Sequence, residues 1–110
     1  MPVYAVISKL ANRPEGFAEA TKLIALALAD LGETKFAMGS AKGDVFTVLL
    51  ETDVDARHVE NHIQSPRLRP SGVGIDDTVL VLAVTDFCVR NNLIAAWIKT
   101  HLSRPSGREK

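Results

Sequence analysis

The sequence predicts an α+β fold, a βαββαβ sandwich carrying an additional C-terminal helix, and three observations point to it. Four short runs rich in β-branched, aromatic and leucine residues alternate with two segments whose apolar residues recur at helical spacing. The length of 110 residues, with 46% apolar and 24% charged residues, is that of one domain able to bury a core. A last periodic segment around Trp97 follows the fourth run and adds a helix beyond the βαββαβ order.

Residues 3 to 8 read as the first strand and the polar stretch 9 to 13 as its exit. Asn12 and Glu15 have the spacing of a capping box and Pro14 suits a first turn, so a helix is expected to start there. Phe17, Ala20, Ile24, Ala27, Leu28 and Leu31 form its apolar stripe, and Gly32 is placed to end it as a glycine of positive φ. Over residues 35 to 39, Phe36 and Met38 alternate onto one side, and Gly39, Ser40, Gly43 and Asp44 supply turn chemistry before a third strand, 45 to 51. Thr52 or Asp53 is the expected cap of a second helix, whose narrow stripe is Ala56, Val59 and Ile63 and whose end is marked by Pro66. Two prolines and two glycines make 66 to 77 a loop; 78 to 85 is the fourth strand, and 92 to 102 a third helix turning Ile94, Trp97 and Ile98 inward. Residues 103 to 110 hold no apolar side chain and are expected as a flexible basic tail on a single domain of residues 1 to 102.

This element order is that of the ferredoxin-like sandwich, in which two helices back one face of a four-stranded antiparallel sheet. The other face then needs an account. Phe46, Val48 and Leu50 alternate with Val45, Thr47 and Leu49, and Leu80, Leu82 and Val84 alternate with Val79, Val81 and Ala83, so neither strand has a polar side. Strands apolar on both sides are normally covered on both sides. At roughly 25 cal/mol per Å² of apolar surface, leaving several Val and Leu side chains wet would forfeit several kcal/mol. A homodimer packed sheet to sheet, with the third helix contributing, is the expectation, and a second face bearing Val45, Leu49, Val79 and Val81 is what it would cover. A monomer whose third helix does all the covering stays open as the alternative.

Thirteen basic and thirteen acidic residues cancel, so no whole-molecule field draws the chain to nucleic acid or an anionic membrane. The lone Cys88 forms no internal disulfide and cannot assemble a thiolate metal site. No basic n-region precedes the first apolar run, and no apolar stretch approaches the roughly 20 residues of a bilayer span, so a cytoplasmic protein without membrane contact is expected.

No motif fixes a reaction, and no catalytic residue, metal ligand or cofactor is assigned. His58 and His62 have the i, i+4 spacing of two metal ligands, but the glutamate at 60 fits neither zincin-type motif and no third ligand is indicated. Asp76 and Asp77 are adjacent residues entering a strand and point to opposite faces, which suits a turn better than a cation. Residues 71 to 74 lack the lysine and the length of a phosphate loop, and Cys88 with His101 makes no nucleophile and base. The sandwich topology does gather charges: Lys9, Arg13, Lys42, Arg67 and Arg69 collect at one end, and Asp30, Glu33, Glu51, Asp53, Asp55 and Asp86 at the other. An anion-binding end formed by Lys9, Arg13, Arg67 and Arg69 is therefore expected, despite Asp44, Asp76 and Asp77 at the same end.

The runs Val3-Tyr4-Ala5-Val6-Ile7-Ser8, Val48-Leu49-Leu50-Glu51-Thr52 and Asp77-Thr78-Val79-Leu80-Val81-Leu82 resemble the small ferredoxin-like subunit of CRISPR spacer integration and its short toxin-like relatives, over about residues 3 to 85. The resemblance implies a homodimer and, for some members, a metal-dependent nuclease using an aspartate at the end of strand one. Here that stretch reads Ile7-Ser8-Lys9, without a carboxylate. The expected function is thus a non-enzymatic dimeric binding or assembly module, contacting nucleic acid or another anionic partner through its basic end. Two alternatives remain: a metal-dependent nuclease built on Asp76, Asp77 or the histidines, and a small-molecule enzyme of the dimeric α/β-barrel kind with a pocket near Tyr4 and Trp97.

Overall fold

Two of the apolar runs, over residues 3–9 and 45–51, become the central strands, while the most apolar one, over 78–83, lies at an edge of the sheet. In the computed structural model, which describes residues 2–12, 16–63, 77–85, 90 and 92–102, the elements are β1 (Val3–Lys9), α1 (Ala18–Ala29), β2 (Glu33–Gly39), β3 (Val45–Glu51), α2 (Ala56–Ile63), β4 (Thr78–Ala83) and α3 (Asn92–Leu102). The strands form one sheet in the order β2-β3-β1-β4, every pair antiparallel. This is an α+β architecture of four antiparallel strands and three helices, consistent with the expected ferredoxin-like arrangement. The expected tail at 103 to 110, Arg13, Pro14, Glu15, Arg67, Arg69, Asp76, Cys88 and nearly all of the loop at 66 to 77 lie outside the described residues.

Register sorts the side chains into two faces. Tyr4, Val6 and Ser8 stand beside Leu50, Val48 and Phe46 of β3 and beside Ala83, Val81 and Val79 of β4. This first face packs on Ala20, Ile24, Ala27 and Leu28 of α1 and on Val59 and Ile63 of α2, giving the main core. Ala5 and Ile7 stand instead beside Leu49 and Thr47 and beside Leu82 and Leu80, on the second face, where α3 supplies Ile94 and Ile98. The expected grouping of Val45 and Leu49 with Val79 and Val81 is therefore corrected. β1 pairs with both neighbours and sets their phase, which puts Val79 and Val81 on the first face and Leu80 and Leu82 on the second.

Local chemistry departs from expectation at four points. α1 starts at Ala18 rather than near Asn12, with no side-chain cap at Phe17, because Gly16 at φ +85° interrupts the helical backbone. Gly32 does not take a positive φ; it is required because a Cβ there would strike the carbonyl oxygen of Glu51, where β2 enters the sheet. A bulge lies between Phe36, paired with Val48, and Met38, paired with Thr47. It sends Phe36 to the first face, stacked on Phe46 at 6.3 Å, and Met38 to the second, so the two do not share a side. Asp55, not Thr52 or Asp53, caps α2: its Oδ1 accepts the His58 amide at 2.9 Å, while the Thr52 hydroxyl donates to the Leu31 carbonyl.

Candidate functional site

The second face of the sheet is divided between a helix-covered half and an open half. α3 crosses the end where β1 begins, and Leu49, Ile94 and Ile98 pack there with Ala5, Ala37 and Val84 around them. Alongside the helix, Ile7, Met38, Thr47 and Leu82 together with Ile94 and Ile98 of α3 line an open groove of about 370 Å³ whose lining holds no charged side chain. Met38 is 65% exposed, and Leu80 and Leu82 keep about half their surface. The sequence indicates this greasy face correctly, but it indicates the wrong strand-four residues for it.

At the covered end lies a polar corner. The hairpin register sets Glu33 of β2 directly opposite Glu51 of β3, and like charges opposed across a ladder repel. His101, on the last turn of α3, answers them. Its Nε2 is 2.7 Å from Glu33 Oε2, its Nδ1 is 2.8 Å from the Trp97 carbonyl one turn earlier, and the indole stacks on the imidazole at 3.8 Å. A carbonyl oxygen only accepts, so Nδ1 carries a proton and donates it, which fixes the ring with Nε2 aimed at the carboxylates. His101 and Glu51 are 5% and 3% exposed, and one ligand atom from each of Glu33, Glu51 and His101 lies within 4.8 Å of the others. Glu51 has other interactions, yet its buried Oε2 accepts no hydrogen bond from the described residues.

Glu33 and Glu51 were both expected at the acidic end, but their meeting with His101 was not. The register hides it: extended from Gly39 opposite Phe46 near the turn, an unbroken ladder would bring Glu33 opposite Thr52. The bulge removes that one-residue offset.

The other expected residues are more scattered. Of the anion-binding set, only Lys9 is described; its Nζ lies 3.2 Å from Asp44 Oδ2 and donates to the Leu10 carbonyl at 3.3 Å. Asp44 is held below the usual carboxylate range, first by the hydroxyl of Ser40 and then by Lys9. At the same end Asp77 Oδ1 accepts the amide of Ala11, just past the end of β1, at 2.7 Å, a contact between segments far apart in sequence rather than a local turn bond. His62 approaches Asp30 at 3.4 Å beyond the end of α1, and His58 is exposed. Tyr4 belongs to the core beneath α1 and α2, where burial and then the charge of Asp55 raise its hydroxyl above the usual value, whereas Trp97 lies on the second face. The sheet separates them, so they do not line one pocket. No helix among the described residues is long and apolar enough to cross a membrane.

No protein-family model matches the chain, and neither the curated proteins nor the solved structures contain a match to it.

Proposed function

We propose that the chain is a non-enzymatic assembly module of ferredoxin-like βαββαβ topology with an added helix, and that it works as a homodimer joined through the open half of its second sheet face. The observation that carries this reading is the exposure of Met38 and Leu82 along an uncharged groove and of Leu80 across the ladder from the groove's Ile7, on strands that α3 covers over only part of their length. Fully burying a half-exposed Leu contributes about 1 kcal/mol, so several such side chains from two copies supply a useful association energy. A second copy of the chain is the occupant that best suits the patch. An apolar groove whose lining holds no charged side chain can meet its own copy across a two-fold axis, and sheets pack face to face with their strands nearly aligned. The resemblance of the strand runs to a homodimeric family carries the same expectation.

Contact with nucleic acid or another anionic partner is a further part of this proposal and rests on Lys9, Arg13, Arg67 and Arg69. Its signature is salt-sensitive binding without turnover. Lys9 brings only a shared charge, because Asp44 sits beside it.

The interface is tested by mixing isotope-labelled and unlabelled protein and recording isotope-filtered contacts between methyl groups. Contacts between copies that involve Met38, Leu80 and Leu82 are expected. Their absence in a sample of dimeric mass would place the interface elsewhere and end this reading.

A further inference from the structure

We propose that Glu33, Glu51 and His101 bind a divalent first-row transition cation, with zinc the best match, and that the ion clamps α3 onto the sheet. Three observations meet in this corner. One imidazole nitrogen and two carboxylate oxygens lie within 4.8 Å of one another, drawn from the β2–β3 hairpin and from α3, which is distant from it in sequence. The ring of His101 is already oriented from behind, since Nδ1 is bonded to the Trp97 carbonyl and the indole stacks on its face. That outer support is how ligating histidines are ordinarily held, with Nε2 left for the metal. Glu51 is a buried acidic side chain across the ladder from Glu33, so two carboxyl groups share a corner that is largely shut from water on the Glu51 side.

Without an ion, Nε2 lies at hydrogen-bond distance from Glu33 Oε2, 2.7 Å. A metal would sit between the two atoms in place of that direct contact. Ligands at about 2.0–2.2 Å around a tetrahedral zinc stand roughly 3.3 Å apart, so Glu33 would retreat by about 0.6 Å. Its side chain is 59% exposed and has room to do so. A mixed nitrogen and oxygen donor set with three protein ligands suits zinc and its neighbours, whereas magnesium and calcium prefer oxygen alone. The ion would join the C-terminal turn of α3 to the two strands beneath it, and α3 is the element that covers half of the second face.

The experiment titrates zinc chloride into the full chain by calorimetry, with imidazole proton and nitrogen resonances followed in parallel. One ion per chain is expected, with the His101 Nε2 resonance shifted and those of His58 and His62 unmoved. Glu33→Gln, at an exposed position that leaves the core intact, should weaken binding by more than about tenfold, as should His101→Gln. His58→Ala and His62→Ala should leave it unchanged. The proposal is overturned if zinc shows no saturable binding, or if binding survives both Glu33→Gln and His101→Gln. Should His101→Gln fail to fold, Glu33→Gln and the wild-type resonances decide the matter alone.

Discussion

Beneath α1 and α2 the sheet shuts Val6, Val48 and Leu50 away at 0–3% exposure, whereas on its other side Met38, Leu80 and Leu82 keep 50–65% of their surface. The residue types are alike, but the three buried residues stand on the central strands β1 and β3 and the three exposed ones on the edge strands β2 and β4. The roof differs as well: two helices with the apolar stripes Ala20, Ile24, Ala27, Leu28 and Val59, Ile63 lie on one side, and one helix over one end on the other. Burial here is decided by a strand's place in the sheet and by which elements arrive above it rather than by its own composition. The closed face holds the main core of the chain, and the second face is only partly covered.

The contrast is broken first by truncation. Leu50→Ala opens a cavity where nothing can collapse and should cost about 2–5 kcal/mol in urea unfolding, while Leu82→Ala should cost under about 1 kcal/mol when the protein is dilute. Equal costs at low concentration would show that the two faces are not differently enclosed. Next in size, Asp55→Ala removes the cap that starts α2 over the closed face and should lower stability by about 1 kcal/mol, with the loss visible in thermal unfolding.

The closed face also carries a flaw that sharpens the comparison. Ser8 is fully buried between Phe46 and Val79, and its hydroxyl has no hydrogen-bond partner among the described residues. Ser8→Ala should therefore be neutral or stabilise by up to about 1 kcal/mol, measured by denaturant midpoint. A clear loss would mean that the hydroxyl is bonded after all.

The smallest expected effect concerns the turn at the basic end. Asp44 has its carboxyl lowered from 3.8 by Ser40 and Lys9, so its contribution to stability is fully present above that value and fades as pH falls through the lower folded value. Ser40→Ala should return the Asp44 titration toward 3.8, followed by carboxyl carbon resonances. No movement would assign the shift to Lys9 and the backbone hydrogen bond instead of Ser40.

These two faces were unequally legible. β3 and α3 stand at their expected bounds, since unbroken apolar alternation over 45 to 51 and a helical stripe through Ile94 and Ile98 are local signals. α1 was misplaced at its start because the capping spacing of Asn12 and Glu15 competes with a left-handed Gly16 that composition does not reveal. The phase of β4 against β1 was not legible, since a strand apolar on both sides carries no mark of which side is which. The polar corner was the hardest to foresee. It requires the bulge at Phe36 and Met38 to bring Glu33 opposite Glu51, and a helix nearly fifty residues later to deliver His101, and neither event leaves a local trace.

The most direct test of the account is the mass of the protein in solution, by sedimentation velocity across a hundredfold range of concentration. The account predicts a species of twice the 11.9 kDa chain that falls to a single chain on Leu82→Lys, with the far-ultraviolet circular dichroism unchanged. A wild-type protein that remains a single chain at every concentration would contradict it.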